Sequence, residues 1–407
     1  MSSRFHDSSL RQSYAAIFLS ILTDVLAGFF LGSAEATLRL LPGLVVLVPA
    51  ALGMRGQIFA SLGSRLGSAL HMGTIKLSRK NKPLRNNIYA SMALTIIFSV
   101  FLGMLAKFVL LAFGMASISL IDLILISLIG GILSGVIMLA LTLVIAFASF
   151  RKGWDPDNVS SPMITALGDF FTVPTLLLAA SLVTSFAFSS STSIIIVASG
   201  LALLVFLDIF SVESRKESAR LREFSYRQIV IQSSMILVFT LFLDAISGIV
   251  IQSNLNALLA VPLLLVILPA FLEEGGNIGN VMASRLSTKL HMGVIEAKMK
   301  ITSSVRQEFL NSYLLSFLIF ASVAVVSFAF SLMTGIGGIG FYQLFLITVV
   351  AGFLLSTIII FITFMVSIVS FRLNIDPDNI SIPIITSIAD VLGVFCLLVV
   401  LHGTGII

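Results

Sequence analysis

A chain of 407 residues with 58% hydrophobic and 11% charged side chains and a mean hydropathy of +1.11 cannot present a water-facing surface, because soluble domains carry about 25% charged residues. The formal net charge of +5 does not mark a nucleic-acid ligand, since the basic residues are spread over short loops and not gathered on one domain. Cys396 has no partner cysteine, which excludes an intrachain disulfide and a cysteine-based zinc site.

Several apolar stretches run for about 20 residues or more, enough to cross a hydrocarbon core of about 30 Å as helix. They lack the strict alternation of a transmembrane β-barrel. The polar N-terminus and a long first apolar segment containing Asp24 argue against a cleavable signal peptide. In chain order the polar breaks predict helices over 13–34, 37–63, 87–113, 118–149 and 160–186, then one over 192–211, then 228–252, 256–283, 308–333, 341–370 and 381–402. The fold class is therefore all-α and polytopic, with about eleven spans.

With the N-terminus cytoplasmic, the inner loops hold Arg4 and Arg11, then Lys76, Arg79, Lys80, Lys82 and Arg85, then Arg151 and Lys152. The later inner loops hold Arg215, Lys216, Arg220, Arg222 and Arg227, then Lys289, Lys298, Lys300 and Arg306, and finally Arg372. The outer loops hold little beyond Arg39. This asymmetry predicts a cytoplasmic N-terminus and an outer C-terminus in a membrane expected to be the cell membrane.

The chain repeats itself. A shift of 220 residues brings Asp24 onto Asp244, Gly28 onto Gly248, Pro42 onto Pro262, Pro49 onto Pro269, Ser64-Arg65-Leu66 onto Ser284-Arg285-Leu286 and Leu70-His71-Met72-Gly73 onto Leu290-His291-Met292-Gly293. At a shift of 221, Asp155-Pro156-Asp157-Asn158 falls on Asp376-Pro377-Asp378-Asn379, and Ser160, Pro162, Thr165 and Asp169 fall on Ser381, Pro383, Thr386 and Asp390. Units of five spans joined directly would be inverted; the extra helix over 192–211 restores the orientation. The expected organisation is a first unit over 1–190, a linking helix and cytoplasmic linker over 191–227, and a second unit over 228–407. The two are expected to be parallel repeats about a pseudo-twofold axis along the membrane normal, with a solute pathway between them.

Asp24, Asp169, Asp244 and Asp390 lie inside apolar segments, where an ionised carboxylate costs at least about 2.5 kcal/mol and needs a partner or water. Asp169 and Asp390 stand seven residues past Pro162 and Pro383, about 10 Å along a helix and so towards mid-membrane. Thr165 and Thr386 precede them by four residues and share their helix face. Such hard oxygens suit Mg²⁺, which keeps several waters and meets one or two carboxylates. No cluster of Cys and His favours zinc or copper. Hydrogen bonding to a neighbouring helix is the competing explanation for each aspartate, most strongly for Asp24 and Asp244.

The second helix of each unit carries two prolines, then Gly53-Met54-Arg55-Gly56-Gln57 in one copy and Glu273-Glu274-Gly275-Gly276-Asn277 in the other. Proline and glycine predict a broken helix there, with Gln57 and Asn277 as added carbonyl ligands; close helix packing is the alternative for the glycines. Arg55, Glu273 and Glu274, with Asp24 and Asp244, form a secondary set for the ion path, a salt bridge or a gate, with a packing or topogenic role the equal alternative for Arg55. Lys107 is expected to snorkel to the interface. The Asp-Pro-Asp-Asn tracts read first as helix starts, and His71 and His291 as structural residues.

The Pro-rich second helix, the Gly-Gly-Asn or Gly-Gln turn, Ser-Arg-Leu, and Asp-Pro-Asp-Asn followed by Pro, Thr and Asp resemble the MgtE family of magnesium channels, and more closely its eukaryotic solute-carrier branch, in which two units are fused. The resemblance covers almost the whole chain. It implies transport of divalent cations, Mg²⁺ before Mn²⁺ or others, without enzymatic activity, by a protein whose partners are the lipid bilayer and its ions. It also implies that Asp169 and Asp390 bind the dehydrating cation and that Asn277 matches the family's second-helix asparagine. Gln57 departs from that pattern, and Glu273 and Glu274 stand where small residues are usual. No cytoplasmic sensor domain is expected ahead of the first helix. The fused pair suggests a functional monomer.

Two other readings compete: a Mg²⁺ exporter coupled to Na⁺ or H⁺, and, remotely, an intramembrane aspartyl protease, since Ala166-Leu167-Gly168-Asp169 faintly echoes a Gly-x-Gly-Asp motif. A scaffold without transport would leave the paired aspartates unexplained. The topology is tested by single cysteines in a Cys396→Ala background. Ala116→Cys should react with an impermeant maleimide on intact cells, and Ser78→Cys only after permeabilisation; the opposite pattern would reverse the orientation.

Overall fold

A computed structural model describes residues 2–71, 81–152, 161–186, 193, 196–200, 202–205, 225–373 and 377–406. It is helical, with no strand among the described residues. The helices are α1 (Ser2–Ser33), α2 (Glu35–Leu40), α3 (Leu47–His71), α4 (Lys82–Ala112), α5 (Leu120–Lys152) and α6 (Ser161–Phe186), then α7 (Tyr226–Ser253), α8 (Leu255–Ala260), α9 (Pro262–His291), α10 (Ser303–Thr334), α11 (Phe341–Arg372) and α12 (Pro377–Gly403). Among the described residues, 9 helices are long and apolar enough to cross a membrane, and two shorter apolar stretches, Ile17–Ser33 and Ile196–Val205, lie where the other two spans were expected.

The helices are arranged inside out relative to those of a soluble protein. On α10 the exposed face carries Leu310, Leu314, Phe317, Leu318, Val325 and Leu332, while Ser312, Ser316, Ser327 and Ser331 are buried. On α11 the exposed residues include Leu346, Val350, Phe353, Phe361 and Met365, against buried Thr348, Ser356, Thr363 and Ser367. Lipid is as apolar as leucine, so helices gain little from burying large side chains and instead pack through small and hydroxyl residues. Ser316 and Ser356 meet across this contact at 2.6 Å. Thr95, Thr348 and Thr172 bond back to carbonyls one turn earlier at 2.9, 2.9 and 2.7 Å, which satisfies a hydroxyl without a second helix.

The chain groups into two compact units, Met1–Ser33 with Val250–Ile407, and Ala34–Ile249. In the first, α1 packs on α9 and α10, and α9 also packs on α11 and α12. Gly28 allows the backbones to touch, because a β-carbon there would strike the carbonyl of Val266. In the second unit α3 packs on α4, α5 and α6. There a β-carbon at Gly248, the counterpart of Gly28, would lie 2.6 Å from the carbonyl oxygen of Val46, the counterpart of Val266. The same crossing is therefore built twice.

The sequence-based break falls elsewhere than expected. The chain interrupts its helix at the first proline of each pair: α2 ends before Pro42, Gly43 takes φ 89°, and a 3₁₀ turn over Leu44–Val46 leads into α3, while α8 ends at Ala260 and Pro262 opens α9. The helix then runs without interruption through Pro49, Gly53 and Gly56 in α3 and through Pro269, Gly275 and Gly276 in α9. Proline fits a first turn because its missing N–H has no partner there, whereas each glycine is held helical by a side chain seated on it. The freed carbonyl of Pro42 accepts from the Ile118 amide at 3.0 Å. Lys107, expected to snorkel, instead donates to Ser117 Oγ and the Ile118 carbonyl at 2.7 and 2.9 Å, tying down the loop that covers this break.

Near the C-terminal end of α9, buried Glu308 accepts from Lys289 at 2.6 Å and lies 3.7 Å from Arg285. In the first copy Arg65 Nε donates to Asn87 Oδ1 at 2.9 Å. The Ser-Arg-Leu arginine thus has a fixed side-chain partner from the next long helix in both copies. Filling the α1–α9 contact should be costly: Gly28→Leu is expected to destabilise the protein by about 3 kcal/mol, read as a lowered unfolding temperature in detergent. Gly337→Ala, with nothing within 4 Å, should shift stability by less than about 0.5 kcal/mol.

Candidate functional site

Several of the residues singled out from the sequence meet at one turn of α3 in one unit and at one turn of α9 in the other. In the unit Ala34–Ile249 it is the Gly53–Gly56–Gln57 turn of α3. A β-carbon at Gly53 would stand 2.6 Å from Asp244 Oδ2, and one at Gly56 would stand 3.5 Å from Thr165 Cγ2. Thr240 Oγ1 donates to Gln57 Oε1 at 3.0 Å. Helix α3 therefore receives α7 through Thr240 and Asp244, one turn apart, and α6 through Thr165, with Asp169 one turn further along α6. Asp169 is 2% exposed and Asp244 is fully buried. Glycine at 53 is what admits the carboxylate to the helix backbone.

In the other unit the corresponding surface is Glu273–Asn277 of α9. A β-carbon at Gly276 would lie 3.0 Å from Thr386 Cγ2, and one at Gly275 would lie 3.8 Å from Ala389 Cβ; one at Gly393 would approach Leu272 Cδ2 at 2.8 Å. These pairs run in opposite directions along α9 and α12. The helices are antiparallel, so Asp390, beside Ala389, lies level with the turn that carries Glu273 and Glu274. Asp390 is 6% exposed and Glu274 is fully buried. Asn277 Nδ2 donates to Glu274 Oε2 at 3.0 Å, and Asn280 Nδ2 donates to Thr386 Oγ1 at 3.3 Å.

Asp24, fully buried, accepts from Ser20 at 3.1 Å. The shared helix crossing carries it to the level of residue 273, where the first copy has Gly53 against Asp244 and this copy has a glutamate. Arg55 turns away from that face and enters the contact of α3 with α4 and α5. The Asp155–Asn158 tract and Asp376 lie outside the described residues; α12 begins at Pro377 of its motif. His291 packs edge-on to Phe371 with ring centroids 5.1 Å apart, a structural contact.

Thr240, Asn280 and Ser134 were not singled out from the sequence. Thr240 stands four residues before Asp244, the same spacing as Thr165 before Asp169, and that spacing was its signal. Asn280 replaces Ala60 of the first copy, a change that gains meaning only once Thr386 is placed opposite. Among the described residues no group of three His, Cys, Asp or Glu side chains is assembled as a closed metal cage. The oxygens present are carboxylates interspersed with hydroxyls and amides, a donor set that hard divalent cations favour.

Comparison with known proteins identifies relatives of the chain. Solute carrier family 41 member 3 of Mus musculus is 23% identical over 371 residues, covering 86% of this chain and 73% of its own. The Rattus norvegicus protein of the same name is 23% identical, covering 93% and 83%, and solute carrier family 41 member 2 of Homo sapiens is 24% identical, covering 96% and 71%. A eukaryotic MATE transporter structure aligns with a TM-score of 0.30 at 12% identity, covering 98% of this chain and 95% of its own, a likeness too slight to bear on the fold. The profile of the MgtE divalent cation transporters matches residues 48–179 and 268–400, taking in α3 to α6 and α9 to α12 up to residue 400 with both late-helix aspartates, and the chain belongs to that family of integral membrane transporters.

Proposed function

We propose that this protein carries Mg²⁺ across the membrane, with Asp169 and Asp390 as principal ligands and Thr165, Thr386, Gln57 and Asn277 contributing oxygens directly or through water. The observation that carries this reading is the repeated seating of Thr165 on Gly56 and Thr386 on Gly276. In both copies it sets a buried aspartate one turn from a hydroxyl, beside a helix whose next residue is an amide. Mg²⁺ gives up water reluctantly and accepts one or two carboxylates while keeping part of its shell. A carboxylate with neutral oxygens around it meets that requirement without the tight closure that would stop the ion from leaving. Asp24, Asp244, Glu273 and Glu274 are assigned a secondary part, lowering the energy of a cation on its way to the principal ligands.

Mn²⁺ is the expected competitor, because it shares the preference for oxygen donors. Export driven by Na⁺ or H⁺ belongs to the same reading of the site and differs only in what drives the ion.

Mg²⁺ flux in proteoliposomes tests the assignment. Asp169→Ala and Asp390→Ala should each lower flux at least about tenfold while the purified proteins keep wild-type elution and helicity. Wild-type flux in both folded variants and in the double variant would refute the ligand assignment. Flux that appears only with an opposing Na⁺ or pH gradient would establish coupled exchange in place of a passive pathway.

A further inference from the structure

The contact of α3 with α4 and α5 encloses a guanidinium. Arg55 is 2% exposed, and its Nε donates to Ser134 Oγ at 2.7 Å. The Ser134 hydroxyl is itself engaged with the carbonyls of Gly130 and Gly131 at 2.8 and 3.2 Å. Gly131 makes the room, since a β-carbon there would stand 2.9 Å from Arg55 Nη2 and would strike Ser99 Oγ. Arg55 Nη1 has no hydrogen-bond partner among the described residues.

The second copy fills the same space with hydrocarbon. At the shift of 220 Arg55 becomes Gly275, and at the shift of 221 Ser99 becomes Phe320 and Ser134 becomes Leu355, while Gly131 is kept as Gly352. The structure bears out the correspondence: the Phe320 ring lies against Gly352, and Leu355 Cδ2 is 2.5 Å from where a β-carbon of Gly275 would be. One backbone arrangement is therefore packed in two ways within one chain. The apolar packing avoids the several kcal/mol that an incompletely paired buried ion costs, so stability does not explain the arginine.

Position suggests what does. Arg55 precedes Gly56, which seats Thr165 one turn from Asp169, and follows by two residues Gly53, against which Asp244 rests. At the equivalent turn the second copy carries Glu273 and Glu274. The two copies thus hold opposite charge within the same turn, the arginine at the place of Gly275 and the glutamates at the places of Gly53 and Met54. A conducting or carrying site has to release its ion as well as bind it, and a fixed positive charge is a means of weakening one site without altering its ligands.

We propose that Arg55 is a positioning residue that sets affinity: its charge loosens divalent-cation binding at Asp169 and Asp244, so that the first copy's site is the weak one and the second copy's is the tight one. This rests on the transport reading above. A unit charge about 10 Å away at an effective dielectric of about 20 changes binding of an ion by at least about tenfold, and water in the path reduces that figure.

The experiment measures the Mg²⁺ concentration for half-maximal flux, and equilibrium Mg²⁺ binding, for wild type, Arg55→Met, Arg55→Lys and the triple variant Arg55→Gly, Ser99→Phe, Ser134→Leu. The triple variant installs the second copy's own packing and so guards against simple misfolding. Arg55→Met and the triple variant should lower half-saturation about three- to tenfold and slow maximal flux, while Arg55→Lys stays within about twofold of wild type. Half-saturation unchanged in an active uncharged variant, or shifted equally by Arg55→Lys, would overturn the role of the charge and leave the transport reading standing. A wild-type protein that neither binds nor carries Mg²⁺ would overturn both.

Discussion

At the depth of the hydrocarbon no water is at hand to satisfy a polar group, and that constraint shapes the rest of this structure. Backbone amides are closed within helices. Many hydroxyls turn inward, several of them bonding to the preceding turn, and the charged side chains Asp24, Arg55, Asp169, Asp244, Glu274 and Asp390 are buried. Leucine, valine and phenylalanine take the outer faces. Glycine carries much of the geometry, because only where the β-carbon is missing can one backbone or a carboxylate reach another helix, as at Gly28, Gly53 and Gly248.

The two copies share this frame and differ in charge. The α1–α9 crossing at Gly28 and Val266 repeats at Gly248 and Val46, and the threonine seats at Gly56 and Gly276 repeat as well. Upon that frame one copy places a glycine and an arginine, the other two glutamates and a glycine. Beside the Ser-Arg-Leu arginine, Asn87 of one copy is replaced by Glu308 of the other, with Lys289 added next to it. Duplication produced the second copy of this frame, and substitution within it made the two copies unequal in charge. For a transporter that must both capture and release a doubly charged ion, inequality along the way is an advantage that perfect symmetry would lack.

Much of this was legible from residue types alone. The long helices follow from apolar length, since a helix must carry about 20 apolar residues to cross the membrane. That Asp169 and Asp390 would be buried within the helices follows from the cost of placing a carboxylate against lipid. The repeat was readable because its motif blocks recur in order, and the family profile falls on both copies. The location of the helix break is not legible in this way: proline and glycine both read as breakers, but glycines seated under Asp244, Thr165 and Thr386 are held in helix by tertiary contact, which overrides their weak intrinsic propensity.

Sequence alone determined the solvent, the long apolar helices and the duplication, because these depend on composition and on distances measured along the chain. Tertiary structure decided which polar groups meet. It grouped α1 with the helices from Val250 onward, gave Thr240 to Gln57 and Asn280 to Thr386, and turned Arg55 away from the aspartates' face towards Ser134. Those choices depend on how close two backbones can come and on the rotation of each helix about its axis, and both are set by contacts between residues far apart in sequence.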